Sequence, residues 1–157
     1  MSRLLNEKKA ALRPTRLLLG LALLMLAPFA VAQNTLGELL DAGAKKISPE
    51  AFRQDVVQRT LVGPAASGAP LELMYAPSGV VQGRTQADAA GRSGALVQPI
   101  DGVWNVDDSG RICVSMIFGR TMFPFRCQYW FKYKDDYFAV DSDSDLKARA
   151  LRRTLKQ

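Results

Sequence analysis

The chain has 157 residues, with 21 Lys plus Arg against 15 Asp plus Glu and no histidine, for a formal charge of +6. That length accommodates one domain and excludes a doubly wound nucleotide enzyme or an eight-fold α/β barrel. Without histidine there is no Ser-His-Asp or Cys-His catalysis, no imidazole-ligated zinc and no imidazole switch near neutral pH, and a hydrophobic content of 48 % argues against wholesale disorder.

The first 32 residues have the three parts of a secretory signal. Arg3, Lys8, Lys9, Arg13 and Arg16 precede the apolar run Leu17 to Leu26, and Ala30-Val31-Ala32 supplies the small residues that a signal peptidase accepts. Cleavage is expected after Ala32. The alternative, an uncleaved anchor, would have to cross with the segment Leu17 to Ala32, which is broken by Pro28 and falls short of the roughly 20 residues a spanning helix needs. No cysteine follows the cut and Arg3 and Arg16 stand apart, which disfavours a lipoprotein and a twin-arginine substrate. Cleavage removes five bases and one acid, leaving 16 bases and 14 acids, a net +2. Five of those bases lie in the last eleven residues, so residues 33–146 carry a net −3. The expected location is periplasmic or secreted, and a nucleic-acid partner is not expected.

Residues 33–60 read as a short helical segment. Thr35 and Glu38 form a capping box with Leu36, Leu39 and Leu40 on one face and Gly43 as the stop, which predicts a helix from about 36 to 42. Ser48 as N-cap, Pro49 at the first position, Glu50 in the first turn and Ile47 set to staple onto Phe52 predict a second from about 49 to 57.

Residues 61–157 read as an antiparallel β domain. Residues 64–70 are a loop by composition, and strands are predicted at 71–76, 80–85, 102–106, 111–118, 124–133 and 137–141, with 85–95 as a loop. Asp107-Asp108-Ser109-Gly110 and Lys134-Asp135-Asp136 are turn signals. Cys113 and Cys127, the only cysteines, are expected to pair in an oxidising compartment. A hairpin centred on Arg120 sets them opposite one another, but then Ile112, Val114 and Met116 share a face with Arg126, Gln128 and Trp130. A one-residue shift would align the apolar faces and separate the cysteines; a bulge near Pro124, or strands buried on both faces, would satisfy both demands. At the C-terminus, Ser144 could cap a helix carrying Leu146, Leu151 and Leu155. Arg149, Leu151, Arg153 and Leu155 also recur with the period of an edge strand, and a short turn followed by a strand is the favoured reading, with Arg149, Arg152 and Arg153 as a basic edge. The fold class is therefore mainly β (α+β): a small twisted antiparallel sheet or open barrel preceded by two short helices.

Tyr75, Ser78, Gly79, Val80 and Gly83, followed by Gly102, Trp104, Val106, Gly110, Cys113 and Cys127, resemble a family of small exported proteobacterial domains of unknown function. The resemblance spans about residues 47–141. It implies a periplasmic or secreted β-rich domain and carries over no catalytic residues.

Several residue groups are candidates for chemistry. Asp141, Asp143 and Asp145 alternate as in the first half of a calcium loop, but Leu146 stands where glycine is needed and Arg152 where a bidentate glutamate is needed, so a solvated acidic turn is expected and no metal. The pairs Asp107/Asp108 and Asp135/Asp136 lie at hairpin tips, where aspartate serves turn geometry more than acid–base catalysis. Trp130, Tyr133 and Tyr137 are the candidate ligand surface among aromatics that otherwise fill a core. The resulting expectation is an exported, non-enzymatic binding or interaction domain of the bacterial envelope without a cofactor, its partner an envelope protein, anionic lipid or small apolar ligand. The competing expectation is a small apolar-ligand carrier with a barrel cavity.

Overall fold

The computed structural model describes residues 35–65, 67–87 and 96–156. The signal-type segment 1–32 and residues 88–95 of the expected loop lie outside the described residues. Helix α1 (Leu36–Asp41) starts with the expected capping box: the Thr35 hydroxyl accepts from the Glu38 N–H at 3.3 Å, and the Glu38 carboxylate accepts from the Thr35 N–H at 3.1 Å. It ends at Gly43, whose φ of 90° lets the N–H groups of Gly43 and Ala44 reach back to the carbonyls of Leu40 and Leu39, each at 2.9 Å. Helix α2 (Pro49–Asp55) is capped by Ser48, whose hydroxyl accepts from the Ala51 N–H at 3.2 Å.

The strands are β1 (Lys45–Lys46), β2 (Thr60–Pro64), β3 (Pro70–Tyr75), β4 (Val80–Ala87), β5 (Leu96–Val106), β6 (Ile112–Phe118), β7 (Thr121–Tyr133), β8 (Asp136–Val140) and β9 (Ala150–Leu155). From β2 to β9 each strand pairs antiparallel with the next, and β9 returns to β2 through Leu61↔Leu155 and Val62↔Thr154. The result is a closed eight-strand up-and-down barrel. The short β1 adds to β7 beside Phe131 and Lys132. The terminal segment is thus a strand, as favoured. It is not an edge: β9 is hydrogen-bonded to β2 and to β8, so the basic edge of Arg149, Arg152 and Arg153 does not exist. β2 has no counterpart among the predicted strands, and β5 starts at Leu96, six residues before the predicted start at Gly102.

Alternation along the strands sorts side chains into two clusters. Leu61, Leu71, Leu73, Tyr75, Val81, Ile100, Trp104, Ile112, Trp130, Tyr137, Ala139 and Leu151 turn inward and pack with Phe52 and Val56 of α2. Phe131, Phe138, Val140 and Ala150 turn outward on β7, β8 and β9, where Leu36 and Leu39 of α1 cover them. The outer face elsewhere carries ion pairs, among them Glu72 with Arg84 at 2.8 Å and Asp136 with Arg152 at 2.6 Å. Apolar inside and charged outside is the reverse of the arrangement in barrels that span a membrane.

Cys113 and Cys127 face each other across β6 and β7 and are joined in a disulfide. A bulge relieves the register conflict on the turn side, while at the cysteines Ile112 and Val114 still stand opposite Gln128 and Arg126. Val114 pairs with Arg126 but Met116 pairs with Phe123, so β7 carries one extra residue around Pro124 and Phe125. The hairpin turn falls at Gly119-Arg120, with Gly119 at φ 58° in the first central position, the place where a type II′ turn needs glycine. A disulfide closing a loop of this size contributes about 3 kcal/mol in the chain-entropy model.

Phe52 is fully buried and sits 5.3 Å from Tyr75, 5.6 Å from Trp104 and 4.9 Å from Trp130, ring centroid to centroid. Truncating it leaves a cavity among the three aromatic side chains that surround it. Phe52→Ala is expected to lower the unfolding free energy by about 3–5 kcal/mol in denaturant titration with the disulfide intact.

Candidate functional site

Among the described residues the barrel has one sealed end and one open end. Helix α2 seals the first, because its Phe52 ring fills the space between Tyr75, Trp104 and Trp130, and the Trp104 indole N–H donates to the Ala76 carbonyl at 2.9 Å. A polar latch holds the helix down: the Asp55 carboxylate accepts from Lys132 Nζ at 2.8 Å and from the Tyr137 hydroxyl at 3.0 Å. The hydrogen bond from Lys132 does most to hold the Asp55 carboxyl below the usual carboxylate range, partly opposed by desolvation and helped by Tyr137.

Beyond the aromatic plug the lumen is not filled. A cavity of about 890 Å³ opens toward the β6–β7 hairpin. Tyr75 and Trp130 form its floor, Leu71, Leu73, Val114 and Met116 its walls, and Phe118, Phe123 and Phe125 its rim. Phe118 and Phe123 meet edge to face at 4.8 Å, while Phe123 and Phe125 remain exposed. At the mouth Asp141 accepts from Arg126 Nε at 3.1 Å and from Gln128 Nε2 at 2.8 Å, which neutralises Arg126. The Arg126 hydrogen bond is the largest influence keeping the Asp141 carboxyl low.

One lumen cation has no such partner. Arg153 is only 7 % exposed and lies on the cavity wall. Its Nη1 donates to the carbonyls of Pro64 at 2.6 Å and Arg152 at 2.8 Å, and among the described residues it forms no ion pair. The space it occupies exists because β2 carries glycine there: a Cβ on Gly63 would lie 2.3 Å from the Arg152 carbonyl oxygen and 3.0 Å from Arg153 Nη1. Burial pulls the guanidinium's proton affinity down, yet an arginine so far above neutrality stays charged. Burial also pushes the nearby Tyr75 phenol up to about 12, so it is a neutral donor at any physiological pH.

The structure separates the residues that the sequence grouped. Trp130 lies on the lumen floor and Tyr137 faces inward at the sealed end, but Tyr133 lies outside, against the α1 cluster, so the three do not form one surface. Arg149 is exposed beside Thr35, Arg152 is outside on Asp136, and Arg153 is inside. The acidic run diverges: Asp141 serves Arg126 and Gln128, Asp143 pairs with Lys46 at 2.7 Å, and Asp145 accepts from the Lys147 N–H at 2.9 Å. Asp107 is a turn residue, accepting from the Ser109 and Arg111 N–H groups and from Arg111 Nε. It lies close to both cysteine sulfurs, but these are bonded to each other and hold no lone thiolate for a metal. The sequence reading missed Asp55 and Tyr75 as site residues and put Arg153 on an outer basic edge instead of in the lumen. For Arg153 a signal was present, because it shares parity with Leu151 and Leu155, and a strand that turns those leucines inward turns Arg153 inward with them.

The latch sets a pH dependence. The Asp55 carboxyl is depressed in the folded protein, so its contribution to stability is full above the unfolded carboxylate range near 4 and is lost as pH falls through the lower folded value. Asp55→Asn is therefore expected to be less stable than the parent at pH 7, with the gap closing as the pH is lowered from about 4 toward 2, read by urea unfolding across the series. Compared with protein-family models, with curated proteins and with solved structures, the chain finds no match.

Proposed function

We propose that this chain is an exported, non-enzymatic binding domain of the bacterial envelope, and that it binds through the open end of its barrel. The observation that carries this reading is the asymmetry of the lumen: an aromatic plug closes one end, and the other keeps an apolar cavity of about 890 Å³ reachable from solvent. A well-packed interior has few voids larger than a water molecule, so space on this scale, inside the range of small-molecule sites, is what a binding protein retains. Held in the lumen, a small apolar ligand would make the protein a carrier. Bound at the rim of Met122, Phe123 and Phe125, an envelope protein would make it an interaction module, and these exposed apolar side chains support that second reading. The basic C-terminal residues support a lipid-binding face less well, since Arg152 is neutralised by Asp136 and Arg153 is internal.

Export rests on the signal-type N-terminus, on the disulfide, which suits an oxidising compartment, and on the resemblance to small exported proteobacterial domains. Intact mass of the protein recovered from the periplasm is expected to fit a chain beginning at Gln33 and lighter by two hydrogens; a full-length mass in the cytoplasm would contradict it.

The lumen reading is tested with an environment-sensitive apolar dye such as Nile red. Its fluorescence is expected to saturate at one dye per chain, and Val114→Trp, which fills the cavity wall, is expected to weaken binding by at least about tenfold while the melt stays cooperative. Unchanged dye binding in this variant would place the site outside the lumen.

A further inference from the structure

We propose that the lumen ligand is a single-chain amphiphile with a carboxylate head, held by Arg153 and the Tyr75 hydroxyl. The inference rests on the lumen reading above and specifies its ligand. Its starting point is an imbalance of charge. Arg153, only 7 % exposed as a residue and with no carboxylate against it among the described residues, carries a charge on the cavity wall that an arriving anion would match. The cations nearer the mouth and the sealed end are already matched, Arg126 by Asp141 and Lys132 by Asp55.

The hydrogen bonds of Arg153 say which anion fits. Both bonds leave from Nη1, to Pro64 and Arg152, and among the described residues none leaves from Nε or Nη2. Those two nitrogens form the side-on fork of the guanidinium, spaced for the two oxygens of one carboxylate. Among the described residues no buried polar side-chain atom is left sealed without a partner, so the free nitrogens are not shut in but open onto the cavity that Arg153 lines. The same holds for the Tyr75 hydroxyl, which has no hydrogen-bond partner among the described residues, lines the same cavity and feels the charge of Arg153. A fork and a neutral hydroxyl therefore face one apolar space. One uncompensated positive charge matches one negative charge, which favours a carboxylate over a dianionic phosphate. The apolar side of the ligand is set by β6, where Val114, Met116 and Phe118 lead from the floor to the rim at Phe123. An acyl chain along that wall buries its methylenes at about 0.8 kcal/mol each.

The test uses the full exported chain with palmitate and 1-hexadecanol, which share a chain and differ in the head, read by quenching or enhancement of tryptophan emission, Trp130 being on the cavity floor. Palmitate is expected to bind at least about tenfold tighter than the alcohol. Arg153→Gln is expected to abolish that preference while leaving hexadecanol within about twofold, and Tyr75→Phe to weaken palmitate by about threefold. Equal affinities for the two probes in the parent would overturn the carboxylate site while leaving lumen binding intact; failure of both probes to bind would overturn the lumen reading itself. If Arg153 only braces the Pro64 and Arg152 carbonyls, Arg153→Gln will melt lower with the palmitate-to-alcohol ratio unchanged, and that too overturns the proposal. Should Arg153→Gln not melt cooperatively, the parent ratio and Tyr75→Phe decide the matter alone.

Discussion

Two residue pairs at the seam, Leu61 with Leu155 and Val62 with Thr154, are the constraint on which the rest of this structure depends. They join the first barrel strand to the last, across more than ninety residues of chain, and turn a meander into a tube. Without the seam, β2 and β9 would be free edges, open to pairing with other chains. With it there is an inside, and the parity of every strand acquires a meaning. Leu151 and Leu155 enter the core, Arg152 goes out to Asp136, and Arg153 is carried into the lumen with its neighbours. So distant a pairing costs more loop entropy than the local hairpins do.

An eight-strand tube is just wide enough to be filled by its own side chains or to hold one small ligand. This barrel does both, at opposite ends. The helix capped by Ser48 drops Phe52 among Tyr75, Trp104 and Trp130 and makes that end solid, while the lumen toward the β6–β7 hairpin keeps a cavity. Glycine contributes where strands crowd: a Cβ on Gly63 would collide with the backbone of β9, next to the guanidinium of Arg153. Local consistency is broken at Arg153, a charged side chain among leucines with no ion pair among the described residues, and functional sites are where such departures are expected.

Much of this was legible from local chemistry. Capping residues placed both helices to within a residue or two, since Thr35, Glu38, Ser48 and Pro49 act on the first turn alone. The hairpin conflict around Arg120 was visible as a clash between cysteine pairing and apolar parity, and a bulge near Pro124 was one of the two ways to resolve it. The other is also present, because β7 is buried on both faces farther along, Trp130 inside and Phe131 beneath α1. Closure was not legible. β2 is five residues ending in proline, with no alternation long enough to announce a strand, and its partner β9 lies at the far end of the chain. Because basic side chains suit an exposed edge, Arg153 was placed outside; only the seam shows that β9 has no edge. Tyr133 and Tyr137 looked equivalent as neighbours in an aromatic run, and a turn with Lys134 at φ 54° sends them to opposite faces of the barrel wall.

The central claim is that a closed barrel holds, among its described residues, one cation without a carboxylate partner in a largely apolar lumen to receive a carboxylate. Carbon NMR of carboxyl-labelled palmitate bound to the exported protein tests it directly, because the chemical shift of the label reports ionisation at the head group itself. A bound carboxylate beside Arg153 is predicted to stay ionised well below the pH at which the free acid takes up its proton, and to lose that protection in Arg153→Gln. A bound signal that titrates as the free acid does, in the parent and the variant alike, would contradict the account.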